Sequence, residues 1–109
     1  MIQITIEKDP NNPPCGLLFD DNKTKGPDIT TLVSKDEEVK FKVKNNSGIS
    51  AIDRIIDNSK VQLFSTLPTA ANNWKGTIGD FPPNTEESYT VSVTISDGTC
   101  SQDPQLKMK

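Results

Sequence analysis

From Tyr89 to Ser96 the chain runs Tyr-Thr-Val-Ser-Val-Thr-Ile-Ser, and no other stretch constrains the fold as strongly. Every odd position is apolar and every even one is Thr or Ser, and nearly all are β-branched or aromatic. A period of two places the two sets on opposite faces of a strand. One face is then buried and the other wet, as in antiparallel sheets. Tyr89, Val91, Val93 and Ile95 are expected inward, with Thr90, Ser92 and Thr94 largely exposed. Asp97-Gly98 follows as a turn dipeptide that tolerates positive φ. Thr99-Cys100 then resumes towards Leu106 and Met108, which predicts a hairpin of the last two strands.

The same alternation recurs at Glu38 to Lys44, with Val39, Phe41 and Val43 inward, and Asn45-Asn46-Ser47-Gly48 ends it with turn residues. Ile2, Ile4 and Ile6 alternate likewise, and the three prolines between Asp9 and Pro14 break that strand. Shorter strands are expected at Gly16 to Phe19, Ile29 to Val33, Lys60 to Ser65 and Trp74 to Ile78. In Ile49 to Asp57, Ile52, Ile55 and Ile56 sit at helical spacing, so a helical turn competes with a strand; the branched residues and Asn58 favour the strand. Asp9–Pro14, Asp20–Asp28 and Pro68–Asn73 are expected to be irregular. Seven or more short strands punctuated by turns predict an all-β sandwich, formed as one domain over residues 1–109.

Charge narrows the partners. Twelve Lys and Arg against fifteen Asp and Glu leave a net charge of −3, and phosphate binding needs a clustered positive surface, so nucleic acid is not an expected partner. Lys40, Lys42 and Lys44 form the one basic cluster. At alternate positions of a strand they are most simply a solvated face, with an anion-binding stripe as the competing reading. No apolar run approaches the ~20 residues of a membrane helix, so no membrane insertion is expected. Met1 to Glu7 lacks the basic and apolar regions of a signal peptide. The chain is therefore expected in the cytoplasm, or outside the cell or on its surface if Met1 is an added residue.

Two cysteines, Cys15 and Cys100, are too few for a disulfide framework, and without His they cannot close a zinc site. They are a disulfide candidate if they lie on neighbouring strands in an oxidising compartment, and two free thiols in a reducing one.

Trp74-Lys75-Gly76-Thr77-Ile78-Gly79-Asp80-Phe81-Pro82-Pro83-Asn84-Thr85, leading into the Tyr89 strand, resembles bacterial immunoglobulin-like and fibronectin type III-like modules. The likeness covers residues 74–106 and lies in the passage between the fifth and sixth strands of such modules. It implies an immunoglobulin-like antiparallel β-sandwich of about seven to nine strands. In that frame the double proline stiffens a crossover between sheets, and Tyr89 packs at the corner with its hydroxyl capping backbone. Departures are evident: Val43 and Val91 stand at the mid-strand places where antibody domains carry their Cys pair, and Trp74 falls late. The resemblance further implies a non-enzymatic module concerned with adhesion, spacing or carbohydrate-enzyme architecture, acting through loops or a sheet edge on a protein or carbohydrate partner.

Candidate chemistry is sparse. His is absent, which removes the commonest general base and metal ligand. Asp20, Asp21, Asp28, Asp53 and Asp57 could supply a carboxylate pair, although no spacing singles one out. No cofactor motif is present. Calcium is the metal with some basis, because Asp20, Asp21, Asn22 and Asp28 offer clustered oxygen ligands on one loop. Against it, Lys23 and Lys25 partly neutralise the loop, and Asp and Asn are ordinary turn formers. Asn22-Lys23-Thr24 and Asn45-Asn46-Ser47 match the glycosylation acceptor pattern. Trp74, with Phe81 and Tyr89, is expected as a core anchor, with an aromatic ligand platform as the alternative.

Overall fold

The structure is a computed structural model that describes residues 1–96 and 98–109. Asp97, half of the expected turn dipeptide, lies outside the described residues. In chain order the strands are β1 (Ile2–Lys8), β2 (Leu17–Asp20), β3 (Lys25–Gly26), β4 (Thr30–Val33), β5 (Glu38–Val43), β6 (Ile49–Asp57), β7 (Phe64–Thr66), β8 (Lys75–Ile78), β9 (Glu86–Ile95), β10 (Gly98–Gln102) and β11 (Gln105–Met108). A 3-10 turn, Ala70–Asn72, precedes β8. No helix among the described residues is long and apolar enough to cross a membrane.

Two sheets face each other across one core. The first has the order β3-β2-β1-β5-β8-β7. In the second, β9 is central: β6 runs along one edge, β10 and β11 share the other, and β4 lies beyond β11. The apolar faces pack inward, with Ile4, Ile6, Phe19, Val39 and Phe41 from the first sheet meeting Val91, Val93, Ile95, Leu106 and Met108 from the second. Tyr89 sits between them, edge-on to Phe41 at 5.7 Å and to Phe64 at 6.0 Å, an arrangement favoured by the aromatic quadrupole.

The antiparallel expectation needs correction, because both sheets are mixed. β1 pairs with β5 in parallel, and β4 with β11 likewise. Parallel neighbours need a crossover between them. Here the chain crosses to the other sheet at β4 before returning as β5. The chain after Gly98 is also two strands instead of one. It bends at Asp103-Pro104, so that β10 pairs with Val91–Ile95 and β11 with Glu86–Ser88.

Smaller departures have local causes. Ile49 to Asp57 is a strand, and its helix-like spacing comes from irregular register between Ile49 and Ala51 and between Ile52 and Arg54. A bulge adds one residue, so Ile52 and Ile55, three apart, both face the core. Lys60 to Leu63 is not a strand, and β7 starts only at Phe64. The Asp20–Asp28 loop contains β3, paired at Phe19↔Gly26 and Asp20↔Lys25. Ser92, expected to be exposed, is buried, and Thr90 and Thr94 are half-buried. β9 has a neighbour on each side, whose polar side chains close over it: Ser101 on Ser92, Asp103 and Asn58 on Thr90, Asp53 on Thr94.

Candidate functional site

Of the four candidate calcium ligands, Asp20 and Asp21 cap the turn that follows them, Asn22 supplies its left-handed backbone at φ 73°, and Asp28 reaches across to β10. Asp20 Oδ1 accepts the Asn22 N–H at 2.8 Å. Asp21 accepts the N–H groups of Lys23 and Thr24 and the hydroxyls of Thr24 and Thr31. Burial alone would raise the Asp21 carboxyl; the bonds from Thr31, Thr24 and Lys23 outweigh it and hold the group below its usual range. Asp28 accepts from the Gln102 amide at 3.1 Å. Asp53 accepts from Thr94 on the outer face of the second sheet. Asp57, at the end of β6, has a buried Oδ1 with no partner among the described residues. The structure thus distributes these carboxylates, and no group of three His, Cys, Asp or Glu side chains among the described residues could hold a metal ion. Asp21 does border a cleft of about 160 Å³, with Thr31, Glu37 and Lys109.

Cys15, in the turn before β2, and Cys100, in β10, sit at disulfide distance, with sulfurs 2.04 Å and Cα atoms 5.1 Å apart. The pair ties the β1–β2 connection of the first sheet to the second sheet.

Around Tyr89 the resemblance is followed only in part. The Gly79–Thr85 passage does carry the chain from β8 in the first sheet to β9 in the second. Thr85 Oγ1 donates to the Pro82 carbonyl within it at 2.7 Å. The Tyr89 hydroxyl, however, is buried without a partner among the described residues, so the expected backbone cap is not formed. Burial, reinforced by the charge of Asp21, pushes the phenol far above its ordinary range, so the hydroxyl stays protonated near neutrality.

A second concavity lies where β5 loses its neighbour. β8 pairs with β5 only over Glu38 to Lys40. The next contact on that edge is the Phe41 N–H, which donates to the Trp74 carbonyl at 2.9 Å. Alternation puts the Val43 N–H on the same edge, and it has no backbone partner among the described residues. Opposite this half-open edge stand Ala51 and Ile52 of β6. Between them is a groove of about 440 Å³, rimmed by Gln3, Lys40, Lys42, Asn73 and Trp74.

Local chemistry holds the rim in place. The Asn72 side chain accepts the Thr69 N–H at 2.8 Å and donates to the Leu67 carbonyl at 3.1 Å, folding 67–74 into a tight loop. Gly76 lets that loop lie on β8, because a Cβ there would stand 2.7 Å from the Pro68 ring. The Trp74 N–H donates to the Thr69 carbonyl at 2.8 Å. Asn73 and Trp74 are both left-handed, at φ 58° and 59°. Asn accepts this conformation, whereas a bulky Trp there is an outlier of the kind that collects at binding and active sites. Trp74 is half-buried, resting on the core while lining the groove. Ammonium groups, carboxamides and an indole therefore converge on one concavity, a set suited to non-covalent recognition.

The sequence points to Trp74 and the lysines but not to Gln3 or Asn73. The register Gln3↔Lys40 needs the parallel β1–β5 pairing, which no local pattern announces. The Asn72-Asn73 doublet was the available hint for left-handed backbone.

No known protein family matches the sequence, and no curated protein does. Among solved structures, the chain is similar in fold to a 2,6-sialyltransferase from Vibrionaceae Photobacterium sp. JT-ISH-224, crystallised with CMP and lactose, at a TM-score of 0.54 and 16% identity. The likeness covers 74% of this chain and 17% of that one, so this chain spans only a small part of the enzyme's length. At that identity the similarity is one of fold: the chain is a small all-β, sandwich-like domain with mixed sheets.

Proposed function

We propose that this chain is a non-enzymatic recognition module, an immunoglobulin-like sandwich that binds an extended carbohydrate or protein ligand along the half-open edge of β5. The observation that carries this is the groove of about 440 Å³ in which Trp74, Asn73, Gln3, Lys40 and Lys42 meet. Its volume falls within the ~300–1,000 Å³ of small-ligand sites, and its lining mixes apolar floor with a few convergent polar groups. Two further facts support the reading. A similar fold occupies a minor share of a longer sialyltransferase chain, consistent with an accessory module. The Cys15–Cys100 pair favours an oxidising compartment, hence the cell surface or exterior.

The test is a shift-perturbation map. Isotope-labelled protein is titrated with separate pools of neutral oligosaccharides, anionic oligosaccharides and short extended peptides. At least one pool is expected to move the amides of Gln3, Lys40 to Val43 and Ala51 and the Trp74 indole together. If no pool moves them at millimolar concentration, the groove is not a recognition site.

A further inference from the structure

Building on the β5 groove as the recognition site, we infer that its ligand is an anionic saccharide. Lys40 and Lys42 lie two residues apart on the outer face of β5, roughly 7 Å along the strand. Neither has a carboxylate within 4.0 Å among the described residues. Lys8, Lys23, Lys60 and Lys109 share that condition, and what distinguishes Lys40 and Lys42 is that they stand together on one strand at the rim of the groove. In a chain with net charge −3, this leaves a local positive spot beside Trp74. The cross-strand partners on β1 are Gln3 opposite Lys40 and Thr5 opposite Lys42, neutral hydrogen-bonding groups where acids would have quenched the charge.

The concavity is elongated. It shares Gln3, Lys42 and Val43 with a neighbouring depression of about 330 Å³ that runs to Lys44 and Asn45. At the other end it shares Lys40 and Asn73 with one of about 100 Å³ that reaches Asn72 and Lys75. An oligomeric ligand fits such a track. Carboxamides and hydroxyls match the paired donor–acceptor character of sugar hydroxyls, an indole offers a surface for the C–H face of a pyranose, and the two ammoniums select ligands bearing carboxylate or sulfate. A peptide added as a strand fits less well, because the open edge of β5 is only about three residues long before the strand ends at Val43.

Calorimetric titration tests this with tetragalacturonate and a sulfated tetrasaccharide as anionic arms, cellotetraose as the neutral arm and pentaglutamate as the peptide arm. At least one anionic saccharide should bind about tenfold or more tighter than cellotetraose, and weaken as salt is raised. The Lys40→Gln/Lys42→Gln double variant should lose about tenfold in affinity while melting like the parent. Lys60→Gln, away from the groove, should bind unchanged. Equal binding of cellotetraose, with the double variant unaffected, would overturn the anionic class yet leave the recognition role standing. Pentaglutamate binding as tightly as the saccharides would overturn the saccharide class. No saccharide binding at millimolar concentration would overturn the inference, and only a silent shift map as well would remove the recognition role beneath it.

Discussion

Opening the Cys15–Cys100 bridge should cost this domain much of its stability. The bonded residues are 85 apart in sequence. For a closed loop of that size the chain-entropy treatment gives ~4.6 kcal/mol, almost all of it from the larger freedom of the unfolded chain. A domain of this length has about 5–15 kcal/mol in total, so the reduced protein should sit near the limit of folding at 37 °C. With an unfolding entropy of about 2.1 cal/mol/K per residue, the midpoint should fall by roughly 20 °C. The assay is urea unfolding followed by the fluorescence of Trp74, the single tryptophan. It would be run on oxidised protein, reduced protein and the Cys15→Ala/Cys100→Ala variant. The two open forms should agree, and their m-value should rise because the uncrosslinked denatured chain exposes more surface. A loss below about 1 kcal/mol in both would refute the reasoning: either the bridge does not form in solution, or the unfolded chain is already as restricted without it.

Three further outcomes follow from individual side chains. Val91→Asp should abolish folding, since the side chain is fully buried at the centre of β9 and an unpaired buried carboxylate costs several kcal/mol; a parent-like melt would show the inward assignment of the odd positions to be wrong. Burial raises the Asp57 carboxyl above its usual 3.8, so its contribution is present below that value and lost as pH rises through the higher folded one. Asp57→Asn should therefore melt higher than the parent at pH 7 and no higher near pH 3, as paired thermal scans would show. Glu7, held down by hydrogen bonds from Lys25 and Lys44, and Asp21 shift the other way. Their stability is present above the usual 4.5 and 3.8 and lost as pH falls through the lower folded values. Asp21→Asn should thus cost about 1–3 kcal/mol at neutral pH, a cost that shrinks as pH falls below the usual 3.8, and a difference that stays constant through the acid range would contradict the assignment.

The parts of the fold governed by local alternation were legible in the residues. Ile4 and Ile6, Val39 and Phe41, and the odd residues of β9 all face the core where a period of two places them. The same parity extends back to Glu87, which is 1% exposed, one carboxylate oxygen taking the Leu63 N–H at 3.0 Å and the other without a partner among the described residues. Its charged side chain masked a position that the pattern already pointed inward. β6 was ambiguous because bulges convert a two-residue period into apparent three-residue spacing. The parallel pairings were out of reach, since they depend on which strands meet after the chain changes sheets. Ser92 departs from its expected exposure for a related reason: a polar face is wet only where its neighbours leave it open, and β9 has neighbours on both sides. As for the groove, the sequence offered Trp74 and the lysine alternation, while the half-open edge exists only because β8 stops pairing at Lys40.

That edge is where the account is most exposed to a direct measurement, amide hydrogen exchange along β5. Phe41, donating to the Trp74 carbonyl, and Lys44, donating to the Ile6 carbonyl, should be strongly protected. Val43, between them in sequence but facing the groove, should exchange orders of magnitude faster, as an open strand edge does. Protection of Val43 equal to that of Phe41 would mean that the edge is covered and that the groove, with the recognition role built on it, is not there.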